Sequence, residues 1–431
     1  MHYLGLFLRA MRKRLIWLVI SAAFIGPGTV TTATKAGAEH EYALLWTLLF
    51  AALACYMLQE GVGRIYISSG LTLSQAISKL LNGPIGMKIS AWAVAAVVLG
   101  CAAYEAGNIL GAVAGVSLFY GINQQMITLL IVLIVGLLLT LRKFSLLTNF
   151  LGVLIGVMGI GLMILVILLP SSPYEILEGL VVPTLPRGSA LLALGLVGTT
   201  VVPYNLFLGS RLAKGQSLSQ MRSGLLLAVV IGILISISLV IVGSKVNGSF
   251  SFEAVGITMS TQIGTYANML FAFGLFAAGI TSSLTAPWAA AESVSSIAPN
   301  KQRARWHLFS WMTVLGIGFI FGMLDVKPVP VIILAQAVNG FLLPFLAIAI
   351  MLILNKVSLM QDQINSKVEN LLMLFVVWVS ALLGEINLLK VIKVVTGRVD
   401  EFSNSDYLLI TLVATGLVLL ISFKLRKNNK T

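Results

Sequence analysis

The stretch Phe24-Ile25-Gly26-Pro27-Gly28-Thr29-Val30-Thr31-Thr32 interrupts the first long apolar segment of the chain, which runs from Leu15 to about Ala38. That segment is long enough to cross a bilayer, whose hydrocarbon core requires about 20 helical residues. Proline removes a backbone donor and glycine weakens a helix, so we expect Gly26-Pro27-Gly28 to unwind this one. Irregular backbone at membrane depth is tolerated where protein buries it or where it lines a polar cavity. The interruption is therefore a candidate binding site, and the alternative is a simple proline kink.

The composition indicates a membrane protein. The 431 residues are 58% hydrophobic and only 10% charged, and the mean hydropathy is +1.00. Apolar stretches recur along the whole length, so we expect residues 1–431 to form a single integral transmembrane domain. The net charge of +13 comes from basic residues in short loops, a pattern typical of topology signals and not of nucleic-acid binding. Cys55 and Cys101 both lie in apolar segments, so neither a disulfide framework nor a thiolate metal cluster is predicted.

The apolar stretches predict an all-α integral membrane protein with twelve transmembrane helices. Most of the 28 lysines and arginines, including Arg9, Arg12 and Lys13, fall on one side if both termini are cytoplasmic. This bias predicts a multi-pass protein of the inner cell membrane with that orientation. The centres of the predicted spans lie near Ala23, Ala54, Val97, Ile134, Met158, Val201, Ile231, Leu275, Leu315, Ala347, Val377 and Ala414.

A second interruption, Gly198-Thr199-Thr200-Val201-Val202-Pro203-Tyr204-Asn205, lies in the sixth span. The first and sixth spans lead two successive units of five helices, and interruptions at corresponding positions are typical of inverted-repeat transporters. We therefore predict a five-plus-five inverted repeat with broken helices 1 and 6. Repeat 1 is expected at about 15–170, repeat 2 at about 188–355, and the extra helices 11 and 12 at about 369–425.

At these residues the chain resembles the Nramp family, the natural resistance-associated macrophage proteins, which are proton-coupled divalent metal transporters. The resemblance implies the leucine-transporter-type fold, a substrate site between the unwound parts of the first and sixth spans, and alternating access. Further residues that carry it are Ala36-Gly37-Ala38 with Leu44-Leu45-Trp46, Leu58-Gln59 with Arg64, Ser69-Gly70-Leu71, Asn205-Leu206, and Gln336 with Leu343-Pro344-Phe345.

The chain departs from the family pattern at the implied metal ligands. Gly26-Pro27-Gly28-Thr29 stands where the family has Asp-Pro-Gly-Asn, and Val202-Pro203-Tyr204-Asn205 stands where it has Met-Pro-His-Asn. The thioether that favours transition metals is therefore absent. Thr199 takes the place of a family alanine whose carbonyl contacts metal, and Gln336 matches a ligand of the tenth span.

These departures leave a predicted substrate site without formal charge, and no resident metal or cofactor is implied. A dehydrated divalent ion is costly to bury without compensating charge. The amino-terminal ends of the half-helices after each break favour negative charge. We therefore predict a secondary transporter of a small inorganic anion such as bicarbonate, with an uncharged polar solute as the alternative. The predicted substrate-binding residues are Gly26, Gly28, Thr29, Thr199, Val202, Tyr204, Asn205 and Gln336.

Ionisable and hydroxyl residues of the third and eighth spans are candidates for coupling to a proton or sodium. The resemblance places the family's proton-handling Asp and Glu at Glu105 and Asn108. In Gly279-Ile280-Thr281-Ser282-Ser283-Leu284-Thr285, hydroxyls suit a sodium site, although small residues also permit close helix packing. Glu60, four residues before Arg64, is better explained as a structural ion pair. The predicted coupling residues are Glu105, Asn108, Thr281, Ser282 and Thr285.

Three other functions are weighed against anion transport. The first is proton-coupled transport of a divalent metal ion, manganese or magnesium, through water, backbone carbonyls and Gln336. The second is a sensor or scaffold that does not transport. An enzyme is not expected, because no His, Cys or carboxylate cluster has catalytic or zinc spacing and His2, His40 and His307 lie at segment ends.

Overall fold

The structure is a computed structural model that describes residues 14–81, 83–141, 144–246, 250–324, 326–340, 342–395 and 404–428. Within these ranges every long regular element is an α-helix, which confirms the predicted fold class. In chain order the α-helices are α1 Leu18–Phe24, α2 Pro27–His40, α3 Leu45–Ser69, α4 Leu73–Leu80, α5 Gly83–Ser117, α6 Gln124–Thr140, α7 Phe144–Leu168, α8 Pro173–Val181, α9 Ala190–Thr200, α10 Pro203–Leu212, α11 Leu218–Gly243, α12 Phe252–Gln262, α13 Thr265–Ile297, α14 Arg303–Met323, α15 Pro328–Gly340, α16 Leu342–Leu354, α17 Val357–Met360, α18 Lys367–Val395 and α19 Asn404–Asn428.

Both predicted breaks are present, and they have similar backbone conformations. Ile25-Gly26 separates α1 from α2, and Val201-Val202 separates α9 from α10. In each pair the first residue has a ψ angle of 69° or 73° and the second is extended, with ψ at −179° or 121°. Pro27 and Pro203 then begin the second half-helices. Proline is tolerated at this position, because the first amide of a helix has no hydrogen-bond acceptor within the helix. The matching conformations support the interpretation of these spans as related leading helices.

Eight helices of the described residues are long and apolar enough to cross a membrane. The count becomes nine if α16 and the segment Val357–Gln363, bent by 79° relative to each other, form one span. Each of the twelve predicted centres falls on a helix or, for Val201, on a break. The total of twelve and the repeat boundaries remain predictions, and Arg9, Arg12 and Lys13 lie outside the described residues.

The helices that surround the first break pack closely. α13 lies along α5, α14 contacts both of them, and α11 packs against α1, α2, α3 and α7. Gly279 of α13 meets α5 so closely that a Cβ atom there would lie 2.5 Å from the Cβ of Ala112. This approach needs glycine, because real Cβ atoms do not come so near one another. It brings the middle of α13 and the carboxyl-terminal part of α5 together.

A buried ion network joins three helices at the far end of α3. Arg64, only 3% exposed, lies 3.2 Å from Glu60 and 3.3 Å from Glu369 of α18. Arg222 of α11 lies 2.8 Å from Glu60, and Arg64 also donates a hydrogen bond of 2.5 Å to the Oδ1 atom of Asn365. The structural ion pair of Glu60 and Arg64 is thus confirmed, and it extends to partners that the sequence pattern did not indicate.

The contact at Gly279 predicts a stability difference between two glycine substitutions in α13. We expect Gly279→Ala to lower the stability by about 1–3 kcal/mol, because the methyl group would collide with the backbone and Cβ of α5. Gly274→Ala is the matched control, since its nearest neighbour, the Cγ atom of Met158, lies at an ordinary 3.6 Å. Thermal unfolding in detergent measures both variants. Equal unfolding midpoints for the two variants would contradict the close contact of Gly279 with α5.

Candidate functional site

The two breaks lie side by side. The hydroxyl of Tyr204, at the start of α10, donates a hydrogen bond of 3.2 Å to the carbonyl of Ala23 in α1. Tyr204 is 1% exposed, and its ring stands edge-on to that of Tyr104 in α5, with 5.6 Å between the centroids. The contact brings the end of one half-helix against the start of the other, as the resemblance implies.

The three hydroxyls of the predicted substrate site already donate hydrogen bonds within the protein. Thr29 donates to the carbonyl of Phe24 across the first break, and Thr199 donates to the carbonyl of Leu196 at 3.2 Å. With the bond from Tyr204, all three predicted hydroxyls use their single proton on backbone carbonyls. A hydroxyl oxygen that has donated its proton retains lone pairs and can only accept or coordinate.

Gln336 bridges α15 and α2. Its Nε2 atom donates to the carbonyl of Gly28 at 3.0 Å and to the Oγ1 atom of Thr32 at 3.0 Å. Gly28 permits this approach, since a Cβ atom there would lie 2.8 Å from Nε2. Gln336 therefore joins the predicted site, together with Thr32, which the sequence reasoning missed although it lies one helical turn after Gly28.

Asn205 and Val202 contribute in different ways. Asn205 is buried in α10, and neither its Oδ1 nor its Nδ2 atom has a hydrogen-bond partner among the described residues. A buried amide without hydrogen bonds raises the free energy of the folded protein. A ligand that bonded to the Asn205 side chain would remove that cost. Val202 is buried and apolar, and its carbonyl already accepts from the amide of Asn205 at 3.1 Å.

Glu105 lies on α5, fully buried at 0% exposure. Its Oε2 atom accepts a bond of 3.3 Å from the Nδ2 atom of Asn108, while its Oε1 atom has no partner among the described residues. The Oγ atom of Ser282 is also without a partner. A Cβ atom on Gly26 would lie 2.6 Å from that Oγ atom and 3.6 Å from the Oδ1 atom of Asn108. The polar cluster of α5 and α13 therefore borders the first break.

The remaining hydroxyls of α13 divide into two groups. Thr281 donates to the carbonyl of Ala278 at 3.1 Å and Thr285 to that of Ser282 at 3.3 Å, so both are satisfied within their own helix. Ser283 lies beside the carboxylate of Glu105, and its Oγ atom has no hydrogen-bond partner within the described ranges. Sequence reasoning omitted Ser283 from the site, although it follows Ser282 directly.

No group of three or more His, Cys, Asp or Glu side chains is placed to hold a metal ion in the part of the chain that the structure describes. A cation at the breaks would therefore meet neutral oxygens and few carboxylates. Such a donor set suits hard cations, which bind oxygen and retain water, better than soft ones, which prefer sulfur.

Named relatives are divalent metal cation transporters. The chain is 29% identical over 289 residues to the transporter MntH of Verminephrobacter eiseniae, covering 62% of this chain and 64% of that one, slightly under two thirds of its length. It is 23% identical over 380 residues to MntH of Staphylococcus saprophyticus, covering 80% and 84%. Crystal structures of a mutant manganese transporter of Eremococcus coleocola share the fold, with a TM-score of 0.75, 19% identity, and coverage of 97% and 94%.

The prediction of a small inorganic anion such as bicarbonate is wrong, because these relatives are named as cation transporters. The structure supplies the physical reason. The hydroxyls of Thr29, Thr199 and Tyr204, which were expected to donate to an oxyanion, already donate to backbone carbonyls.

The sequence also matches the profile of a protein family over most of its length. The profile described as natural resistance-associated macrophage protein-like matches residues 17–390. That range contains both breaks, Gln336, and the polar cluster of α5 and α13. The chain therefore belongs to the Nramp family.

Proposed function

We propose that this protein is a secondary transporter that moves a divalent metal cation, manganese or magnesium, through a site between the two broken helices. The names of the relatives support a metal substrate. We also infer that the protein acts as a transporter and not as an enzyme. The supporting observation is the direction of the hydrogen bonds at the breaks. The hydroxyls of Thr29, Thr199 and Tyr204 donate to backbone carbonyls, so each of these three groups offers a substrate only its oxygen lone pairs, which bind cations.

The half-helices that end at the breaks support the same proposal. α1 and α9 end there at Phe24 and Thr200, and the carboxyl end of a helix carries a partial negative charge with carbonyls that lack helical partners. Broken helices of membrane transporters use such ends to coordinate cations. The anion prediction considered only the amino-terminal ends of α2 and α10. These ends lie at the same breaks but carry a partial positive charge.

The donor types favour a hard cation. The predicted ligands are hydroxyl, amide and carbonyl oxygens, with no thioether or imidazole at Val202 or Tyr204. Mg²⁺ and Mn²⁺ accept such ligands, and Mg²⁺ usually retains several of its waters. We infer that the substrate enters partly hydrated, which lowers the number of protein ligands that it needs.

Membrane orientation and coupling are part of the proposal. The lysine and arginine bias supports an inner-membrane location with cytoplasmic termini. Of the predicted coupling residues, Thr281 and Thr285 use their hydroxyls within α13. A coupling proton or sodium ion would therefore depend on Glu105, Asn108 and Ser282, whose polar atoms are only partly satisfied.

Uptake by reconstituted protein tests the proposal directly. Purified protein in liposomes is expected to take up Mn²⁺ or Mg²⁺ with saturation, faster than protein-free liposomes, when an ion-sensitive dye is enclosed. Parallel measurements with an imposed proton gradient or sodium gradient identify the coupling ion. Uptake of both metals indistinguishable from that of protein-free liposomes would refute the proposed transport.

The contact of Gln336 with Gly28 predicts a local effect on substrate affinity. A methyl group at position 28 would displace the Nε2 atom of Gln336 from the carbonyl of Gly28, so Gly28→Ala is expected to raise the KM of uptake by about tenfold. Gly198→Ala is the matched control in α9, because nothing lies within 4 Å of its added Cβ. A KM for Gly28→Ala that equals that of the control would argue against a ligand role for Gln336.

A further inference from the structure

Glu105 is the buried acid of the described residues that lacks a cationic partner. Two acidic side chains are buried there, Glu60 and Glu105. Glu60 is paired with Arg64 and Arg222, whereas no Lys, Arg or His of the described ranges forms an ion pair with Glu105. A carboxylate inside a membrane bundle is costly and needs a compensating charge or a proton.

The surroundings of Glu105 are arranged as an oxygen cluster. Its Oε1 atom and the Oγ atoms of Ser282 and Ser283 are all buried without hydrogen-bond partners in the described part of the chain. Asn108 donates to Oε2 through its amide nitrogen, which leaves its Oδ1 atom as a further acceptor. Four polar side chains thus converge from α5 and α13, and within the described residues the Oε1 atom of Glu105 and both serine hydroxyls have no hydrogen-bond partner.

Packing restrains the position of the carboxylate. Gly318 of α14 approaches Glu105 so closely that a Cβ atom there would lie 2.7 Å from its Cγ atom and 3.1 Å from its carbonyl oxygen. α14 therefore blocks movement of the side chain away from the bundle. A restrained carboxylate with an unsatisfied oxygen is preorganised for a cation, since little conformational entropy is lost on binding.

The cluster borders the substrate site. Gly26, in the first break, has no side chain, and the space beside it is filled by the Oγ atom of Ser282 and the Oδ1 atom of Asn108. The predicted ligands at both breaks are neutral, so they do not compensate the charge of a divalent ion. Glu105 is one hydrogen bond beyond Asn108 and is the available negative charge.

We propose that Glu105, with Asn108, Ser282 and Ser283, is the anionic half of the substrate site and carries the negative charge that balances the divalent cation bound at the first break. This inference rests on the proposed function and assigns Glu105 to the substrate itself. The neutral oxygens at the breaks then orient the ion, while the charge that holds it comes from α5.

Binding of the metals alone tests the assignment without transport. The purified protein in detergent is titrated with MnCl₂ or MgCl₂ at constant ionic strength, and the rise in its unfolding midpoint gives an apparent Kd. Glu105→Gln is expected to weaken binding by about a hundredfold or more, because a buried cation loses the negative charge that this cluster supplies. The matched control is Glu385→Gln, a half-buried glutamate of α18, which is expected to change the Kd by less than about twofold.

A charge-relocation variant separates the role of charge from that of shape. The triple variant Glu105→Gln, Gly26→Asp, Ser282→Ala moves the carboxylate to the break and removes the Oγ atom that would collide with the new Cβ. We expect the triple variant to bind the metal at least about tenfold more tightly than Glu105→Gln does, since the cation regains a nearby negative charge. Ser282→Ala alone is expected to weaken binding by about tenfold through loss of one oxygen.

Three results would overturn the assignment: wild-type protein that neither metal stabilises, Glu105→Gln protein that binds as tightly as wild type, or a triple variant no better than Glu105→Gln. If Glu105→Gln does not fold, Glu105→Asp replaces it, with a weaker Kd expected because the carboxylate is withdrawn by one methylene. Metal binding that depends on Glu105 without uptake in liposomes would remove the transport proposal and leave the site assignment intact.

Discussion

The structure depends on satisfying the backbone where two helices stop inside the membrane. Each break exposes carbonyls that hydrocarbon cannot solvate. The hydroxyls of Thr29 and Tyr204 donate to the carbonyls of Phe24 and Ala23 at the end of α1. These bonds stabilise the irregular backbone, and they also determine the chemistry of the site. Because these hydroxyl protons point at the protein, the hydroxyls offer a substrate only their oxygen lone pairs.

Charge balance is the second constraint on this site. In the proposed function oxygen atoms at the breaks orient a cation, but burying a divalent ion among neutral ligands leaves its charge uncompensated. The close contact of α13 with α5 at Gly279 and of α14 with Glu105 at Gly318 brings a restrained carboxylate to the edge of the first break. In our proposal the packing of three helices is thereby connected to substrate selection, because Glu105 supplies the negative charge that balances a bound cation.

The sequence predicted the local features of this arrangement and missed the ones that depend on distant contacts. Glycine and proline marked both breaks, and the spacing of Glu60 and Arg64 predicted their ion pair. The substrate prediction failed because it treated hydroxyls as free donors. The bond of Tyr204 to Ala23 joins residues 181 positions apart, so no local pattern reveals where its proton points. Ser283 and Thr32 were missed for a similar reason, since their roles depend on Glu105 and Gln336 from other helices.

The most direct test of the account is the position of the bound metal. A crystal structure of the protein with Mn²⁺, measured at a wavelength where manganese scatters anomalously, locates the ion without assumptions about its ligands. The account predicts an anomalous peak between the two breaks, within reach of Thr29 and of the cluster of Glu105, Asn108 and Ser282. A peak confined to the protein surface, or none at saturating Mn²⁺, would contradict it.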